Sequence, residues 1–243
     1  MKMITKELLR ELGACTDGYG WFLRRFADGA AEYQVVLNAL AEDDRPADAS
    51  WLLTKVGADK DAVLEVECVA EMKHLFVAGS LVIAKGAVLT GLLMAGEGIK
   101  AGEGIKAGEG IKAGWGIKAG EGIKAGWGIE AGDGIKAGWG IEAGDGIKAG
   151  WGIEAGLGIK AGEGIKAGWG IKAGEGIEAG DGIKAGDGIK AGEGIKAGRD
   201  HAVFAGLRIR FSRWSLSAKV SAKTKPDRLF GGHWIEAEND RAE

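Results

Sequence analysis

Hydrophobic and polar positions alternate in two different rhythms along the chain. Up to Val56 the apolar residues recur at helical spacing: Leu8, Leu9 and Leu12; Trp21, Phe22 and Phe26; Tyr33, Val36, Leu37 and Leu40; then Trp51, Leu52 and Val56. Breaks fall at Gly13, at Asp28-Gly29 and at Asp43-Asp44-Arg45-Pro46. This rhythm predicts a small helical N-terminal domain over residues 1–60 whose aromatic residues form its core.

A six-residue rhythm follows. In the frame LFVAGS, LVIAKG, AVLTGL, LMAGEG, IKAGEG, the first positions are Leu75, Leu81, Ala87, Leu93 and Ile99. The third positions are Val77, Ile83, Leu89, Ala95 and Ala101. From Ile99 to Ile195 the first position is always Ile and the third always Ala, with Lys or Glu between them. Positions one and three share one side of an extended strand and position two points the other way. The variable fifth residue lies between glycines, whose backbone freedom suits a corner. The expected fold is therefore mainly β: a parallel β-solenoid of six-residue strand-turn units over 61–198, in frame from Leu75. Backbone ladders and a buried Ile-Ala strip supply its stability.

After Gly198 the frame continues weakly through Val203, Leu207 and Ile209. It then becomes plain alternation, with Trp214, Leu216, Ala218 and Val220 set against Ser215, Ser217, Lys219 and Ser221. Residues 199–235 read as a C-terminal β cap, which a repeat stack needs to cover its last core layer and strand edges. Residues 236–243 form an acidic tail.

Two coil sizes fit a hexad: a 12-residue flattened coil with two facing sheets, or an 18-residue triangular coil. The outward residues favour the first. Stepping by twelve from Lys100 meets only lysines, through Lys112, Lys124, Lys136, Lys148, Lys160, Lys172 and Lys184 to Lys196. All four glutamates at the same hexad position (Glu130, Glu142, Glu154 and Glu178) fall in the other column, and Trp115, Trp127, Trp139 and Trp151 are also twelve apart. Duplication of a twelve-residue unit would leave the same pattern in an 18-residue coil. In the flat coil one edge carries a ladder of Trp115, Trp127, Trp139 and Trp151, and Trp169 is counted with them as a contact residue. The opposite edge carries Glu97, Glu109, Glu121, Asp133 and Asp145 beside an all-Lys face.

Composition narrows the function classes. The chain has 46 glycines, without a collagen period, and a net charge of −3, so no global basic signal points to nucleic acid. Cys15 and Cys68 lie in different segments and make no disulfide framework, which points to a reducing, cytoplasmic compartment. Leu12-Gly13-Ala14-Cys15 matches the small-residue pattern before a lipidated cysteine. Lys6, Glu7, Arg10 and Glu11, however, occupy the run that would have to be apolar. No apolar run is long enough to span a membrane.

No catalytic residues are assigned, and no metal or cofactor is expected. His74, His201 and His233 are scattered, with no HxxxH or CxxC spacing. The repeat from Glu97 to Gly198 holds no Ser, Thr, Cys or His to act as nucleophile or imidazole base.

The stretch Leu8-Leu9-Arg10-Glu11-Leu12-Gly13-Ala14-Cys15, followed by Phe22, Phe26, Gly29 and Trp51-Leu52-Leu53, resembles a short helical module found ahead of repeat regions in bacterial and phage proteins. The glycine-rich hexads are loosely similar to bacterial β-solenoids, including bactofilins and hexapeptide-repeat β-helices. The left-handed hexapeptide pattern places its small residue four positions after the aliphatic one, whereas here Ala follows Ile by two, and bactofilins lack the rigid AGxGIK unit. Hexapeptide acyltransferases use a histidine and a closing loop, and an uninterrupted, His-free repeat argues against that class.

The function these features support is a non-catalytic scaffold that docks another copy of itself, or another protein, through its tryptophans. The alternative is a ligand-binding module that stacks sugars on Trp or holds a polyanion on Lys. Ice binding is disfavoured by a repeat without Thr.

Overall fold

A computed structural model of the protein describes residues 2–198, 201–206 and 218–237. Four helices come first: α1 (Lys6–Glu11), α2 (Thr16–Arg25), α3 (Tyr33–Glu42) and α4 (Pro46–Val56). Thr5 caps α1 by accepting the Leu8 N–H, and the Cys15 sulfur accepts the Gly18 N–H at the start of α2. Pro46 opens α4, where its missing N–H costs nothing. A short antiparallel ribbon joins Met3–Thr5 to Ala30–Glu32; three-residue strands are too short to leave a period in sequence. Ile4, Phe22, Tyr33, Leu37 and Leu40 fill the core between these elements.

The rest of the described chain is a parallel β-solenoid of about nine turns. From Leu75 to Ile177 each strand pairs with the strand eighteen residues later: Ile105 with Ile123, Ile111 with Ile129, Ile117 with Ile135. The coil therefore has 18 residues and three faces, and the 12-residue flattened coil is incorrect. The reason is physical. Backbone hydrogen bonds set the coil, whereas the twelve-residue period belongs to the outward side chains alone. A twelve-residue pattern wound on an eighteen-residue coil returns to the same column only at every second turn, so it produces mixed columns.

Face I runs from Leu75–Val77 through Ile183–Ala185 to Val203–Phe204 and Leu229–Gly231. Face II begins at Val63–Val66 and passes through Ser80–Ile83 and Ile189–Ala191 to Lys219–Ala222 and His233–Glu236. Face III runs from Val69–Met72 through Ala87–Leu89 to Ile195–Lys196. The stack thus starts ahead of Leu75, where the hexad frame first reads. Ala218 and Val220 are buried at the far end; Leu207, Ile209, Trp214, Ser215, Leu216 and Ser217 lie outside the described residues, as does the acidic tail after residue 237.

Ile at position one and Ala at position three point inward along the whole stack, with no member from Ile99 to Ala191 more than 3 % exposed. The glycine before each corner residue has a different role from the one expected. Among the described glycines, positive φ occurs at Gly13, Gly29, Gly57, Gly206 and Gly232, none of them in the repeat proper. The constraint is steric. A Cβ on Gly114, Gly120 or Gly132 would lie 1.9 Å from the carbonyl oxygen one coil earlier. The glycine after the corner residue has more room, with 3.2 Å at Gly134.

The helical region closes the first coil on face I. Phe76, Ala78 and Met94 point into the helical core. The Gln34 side chain accepts the Ala78 N–H (2.9 Å) and donates to the Phe76 carbonyl (2.8 Å), so its amide takes the place of a neighbouring strand along that edge. Beside it, buried His74 accepts the Leu92 N–H at Nδ1 (2.9 Å), which leaves Nε2–H to donate to Asp44 (2.8 Å).

Candidate interaction surfaces

Corner residues form three edges. Edge I/II, where face I leads into face II, carries Glu97, Trp115, Asp133, Trp151, Trp169 and Asp187 in successive coils. Trp139 stands on edge II/III, with Glu121 one coil before it and Leu157 one coil after. Trp127 stands on edge III/I, between Glu109 and Asp145. The five tryptophans thus do not form one ladder, and the acidic residues expected to line the opposite edge are divided among all three. The structure brings together Trp115, Trp151 and Trp169. Trp151 and Trp169 stack with centroids 5.4 Å apart and planes within 7°, because each coil adds one rung of about 4.8 Å. They remain 59 % and 53 % exposed.

The lysines expected in one column spiral over all three faces. Lys112, Lys148 and Lys184 are on face I, Lys136 and Lys172 on face II, Lys124 and Lys160 on face III. Each glutamate at the same hexad position is flanked by lysines in the rungs before and after it. Glu130 accepts from Lys148 at 2.9 Å and lies 3.8 Å from Lys112; Glu154 accepts from Lys136 at 2.9 Å and lies 3.6 Å from Lys172. The hydrogen bond from Lys148 holds the Glu130 carboxyl below its ordinary range, against an opposing effect of burial, and the charge of Lys112 adds to it. Lys136 does the same for Glu154. On face III, Glu142 pairs with Lys124 and Glu178 with Lys196. A sequence period of twelve thus breaks up the like-charge columns that an 18-residue period would have created.

Among the described residues of the repeat, corner acids and face lysines do not meet. Among the described residues no ion pair or side-chain hydrogen bond reaches Asp133 or Asp187 on edge I/II, nor Lys100, Lys118 or Lys190 on face II. Between that edge and that face runs a groove whose floor is the glycine line Gly98, Gly116, Gly134, Gly152, Gly170 and Gly188. One wall takes Asp133 and Trp151 from the corner column, and the other is the lysine column. Equivalent grooves follow the other two edges.

In the helical region Arg45 pairs with Asp17 and Asp48 and lies over the Trp21 ring, whose Nε1–H donates to Asp43 (2.7 Å). Among the described residues no group of three or more His, Cys, Asp or Glu side chains could hold a metal ion, and no helix is long and apolar enough to cross a membrane.

Residues 1–58 match the family model for the YdhT N-terminal domain, which ends just before the first solenoid strand at Val63. No curated protein and no solved structure matches the chain significantly.

Proposed function

We propose that the protein is a non-catalytic scaffold that associates with itself through edge I/II of the solenoid. The observation that carries this reading is the stacked, half-exposed Trp151–Trp169 pair on the edge that also holds Trp115. An exposed pair of stacked aromatic rings on an otherwise charged surface marks a contact surface. The His74 ring supports a structural role in place of catalysis, since both of its nitrogens are taken up in the joint between the helices and the solenoid. Light scattering coupled to size exclusion, over a concentration series, tests the proposal. Wild type should show mass rising with concentration, and Trp151→Ala/Trp169→Ala should stay monomeric. A wild type that is monomeric throughout the series overturns it.

The second reading is a polyanion site on face II, favoured by a column in which only Glu154 interrupts Lys100, Lys118, Lys136, Lys172 and Lys190. Acid-bearing edges flank that column and weaken the attraction. Binding to a long polyphosphate with a steep loss in salt would support this reading, and salt-insensitive or absent binding rejects it. Sugar stacking has less in its favour, because Trp151 and Trp169 cover each other's faces.

A further inference from the structure

We infer that the surface receiving edge I/II is face II of a second copy of this chain, in a reciprocal two-fold dimer where each edge lies along the other's lysine column. This rests on the self-association proposed above and identifies the other half of the contact.

Some outward charges are left without partners among the described residues. The glutamates at position two of the repeat, Glu130, Glu142, Glu154 and Glu178, find lysines within their own faces. Among the described residues, Asp133 and Asp187 on edge I/II find none, and on face II neither do Lys100, Lys118 and Lys190. Asp133 lies across a groove from the face II lysines, Asp187 continues the same corner column, and neither makes an ion pair with them. A second copy can bring them together. Both columns advance by one residue per coil at the same rise of about 4.8 Å, so contact at one rung brings every other rung into register.

Such docking is isologous, with the same patch used by both partners. Two alignments are open to it, and both satisfy the acid. With parallel solenoids, residues of the same coil meet and Asp187 lies opposite Lys190, with Trp115 opposite Lys118. With antiparallel solenoids overlapped from Trp115 to Asp187, Asp187 lies opposite Lys118 and Trp115 opposite Lys190. In both alignments Trp169 also meets a lysine, Lys172 or Lys136, a geometry that permits cation–π contact. Edge II/III offers one tryptophan and edge III/I one, so neither repeats this apolar and acidic combination. A contact of a few rungs belongs to the small class of interfaces, so the dimer should form in the micromolar range and weaken in salt.

Charge exchange tests the pairing by sedimentation velocity at low salt. Asp187→Lys alone should lower dimer affinity at least tenfold, and so should Lys118→Glu/Lys190→Glu. An equimolar mixture of the two variants should recover dimers, because each altered edge then meets an altered face while the other interface stays native. Thermal melts of each variant confirm that folding is intact. Failure of the mixture to recover the dimer overturns the assignment of face II. If Trp151→Ala/Trp169→Ala abolishes the dimer while the charge variants leave it unchanged, the Trp edge stands as the contact and only its proposed receptor falls. Dimers indifferent to all these changes overturn both.

Discussion

In the helical region every buried residue has neighbours of its own. Trp21 reaches Asp43, Tyr33 donates to the Leu52 carbonyl, and Phe22 tilts against Phe26 at 5.1 Å. In the solenoid one contact recurs: Ile117 meets Ile99 in the coil before and Ile135 in the coil after, and each isoleucine from Ile117 to Ile177 likewise meets the copies eighteen residues before and after it. The first arrangement concentrates the information needed for folding in its core. The second needs almost none there, which leaves corners and outward positions free to vary. A repeat stack of this kind is stabilised by near-neighbour contacts that add up along its length. A lesion in the helical region should be felt throughout that region, whereas a lesion in the stack should be felt by two coils.

The largest effect is expected in the helical core. Leu37→Ala removes a side chain with no exposed surface and should cost about 2–5 kcal/mol, the range for large-to-small core changes. Urea denaturation followed by helical circular dichroism measures it. A loss below about 1 kcal/mol would mean that this core repacks freely and is not the specific one described.

Next comes the steric rule of the stack. Gly132→Ala places a methyl 1.9 Å from the Gly114 oxygen, whereas Gly134→Ala meets nothing closer than 3.2 Å. The first should cost about 1–3 kcal/mol or more, as overpacking does, and the second a fraction of that. Equal effects at the two sites would show that backbone freedom, and not coil spacing, selects the glycines.

The inward pattern was legible from sequence because Ile and Ala two positions apart must share a side of a strand. The coil size was not, since hexad periodicity is the same for two or three strands per turn. The outward residues added a true period of twelve that records how lysine, glutamate and tryptophan are mixed. The tryptophans were recognised as exposed, but the edge each occupies depends on the coil. Gln34 and His74 were missed as the joint because their partners, Phe76, Ala78, Leu92 and Asp44, are brought close only by the fold. A helical residue spaced like Gln34 carries no local sign that its amide will complete a sheet.

A smaller change tests whether one rung is like another. Ile135→Val and Ile153→Val remove one methyl group from equivalent sites that are each 1 % exposed. Each should cost about 0.5–1.5 kcal/mol, with the two values agreeing closely and, for a pair one coil apart, showing coupling. Widely different costs would mean that the stack is not uniform in energy, and melting monitored in the β region would reveal it.

The smallest effect separates an outward acid with lysine neighbours from a corner acid without them. Glu130 has its carboxyl held below the ordinary range, first by the Lys148 hydrogen bond and then by Lys112. Its ionised form is therefore favoured by folding, and the stabilisation is present at pH values above the unfolded carboxylate range, about 4.3. It is lost as pH falls through the lower folded value. With its side chain 44 % exposed, solvent screening limits the contribution to about 0.5 kcal/mol or less. Glu130→Gln should accordingly shift the urea midpoint slightly downward at neutral pH, less so in high salt, and converge with wild type in strong acid. Glu121→Gln removes a corner acid that has no ion pair among the described residues, so no comparable change is expected. A Glu130→Gln deficit that widens on acidification would contradict the sign of this linkage, and an equal deficit at Glu121 would remove the distinction between faces and edges on which the alternating lysine–glutamate columns depend.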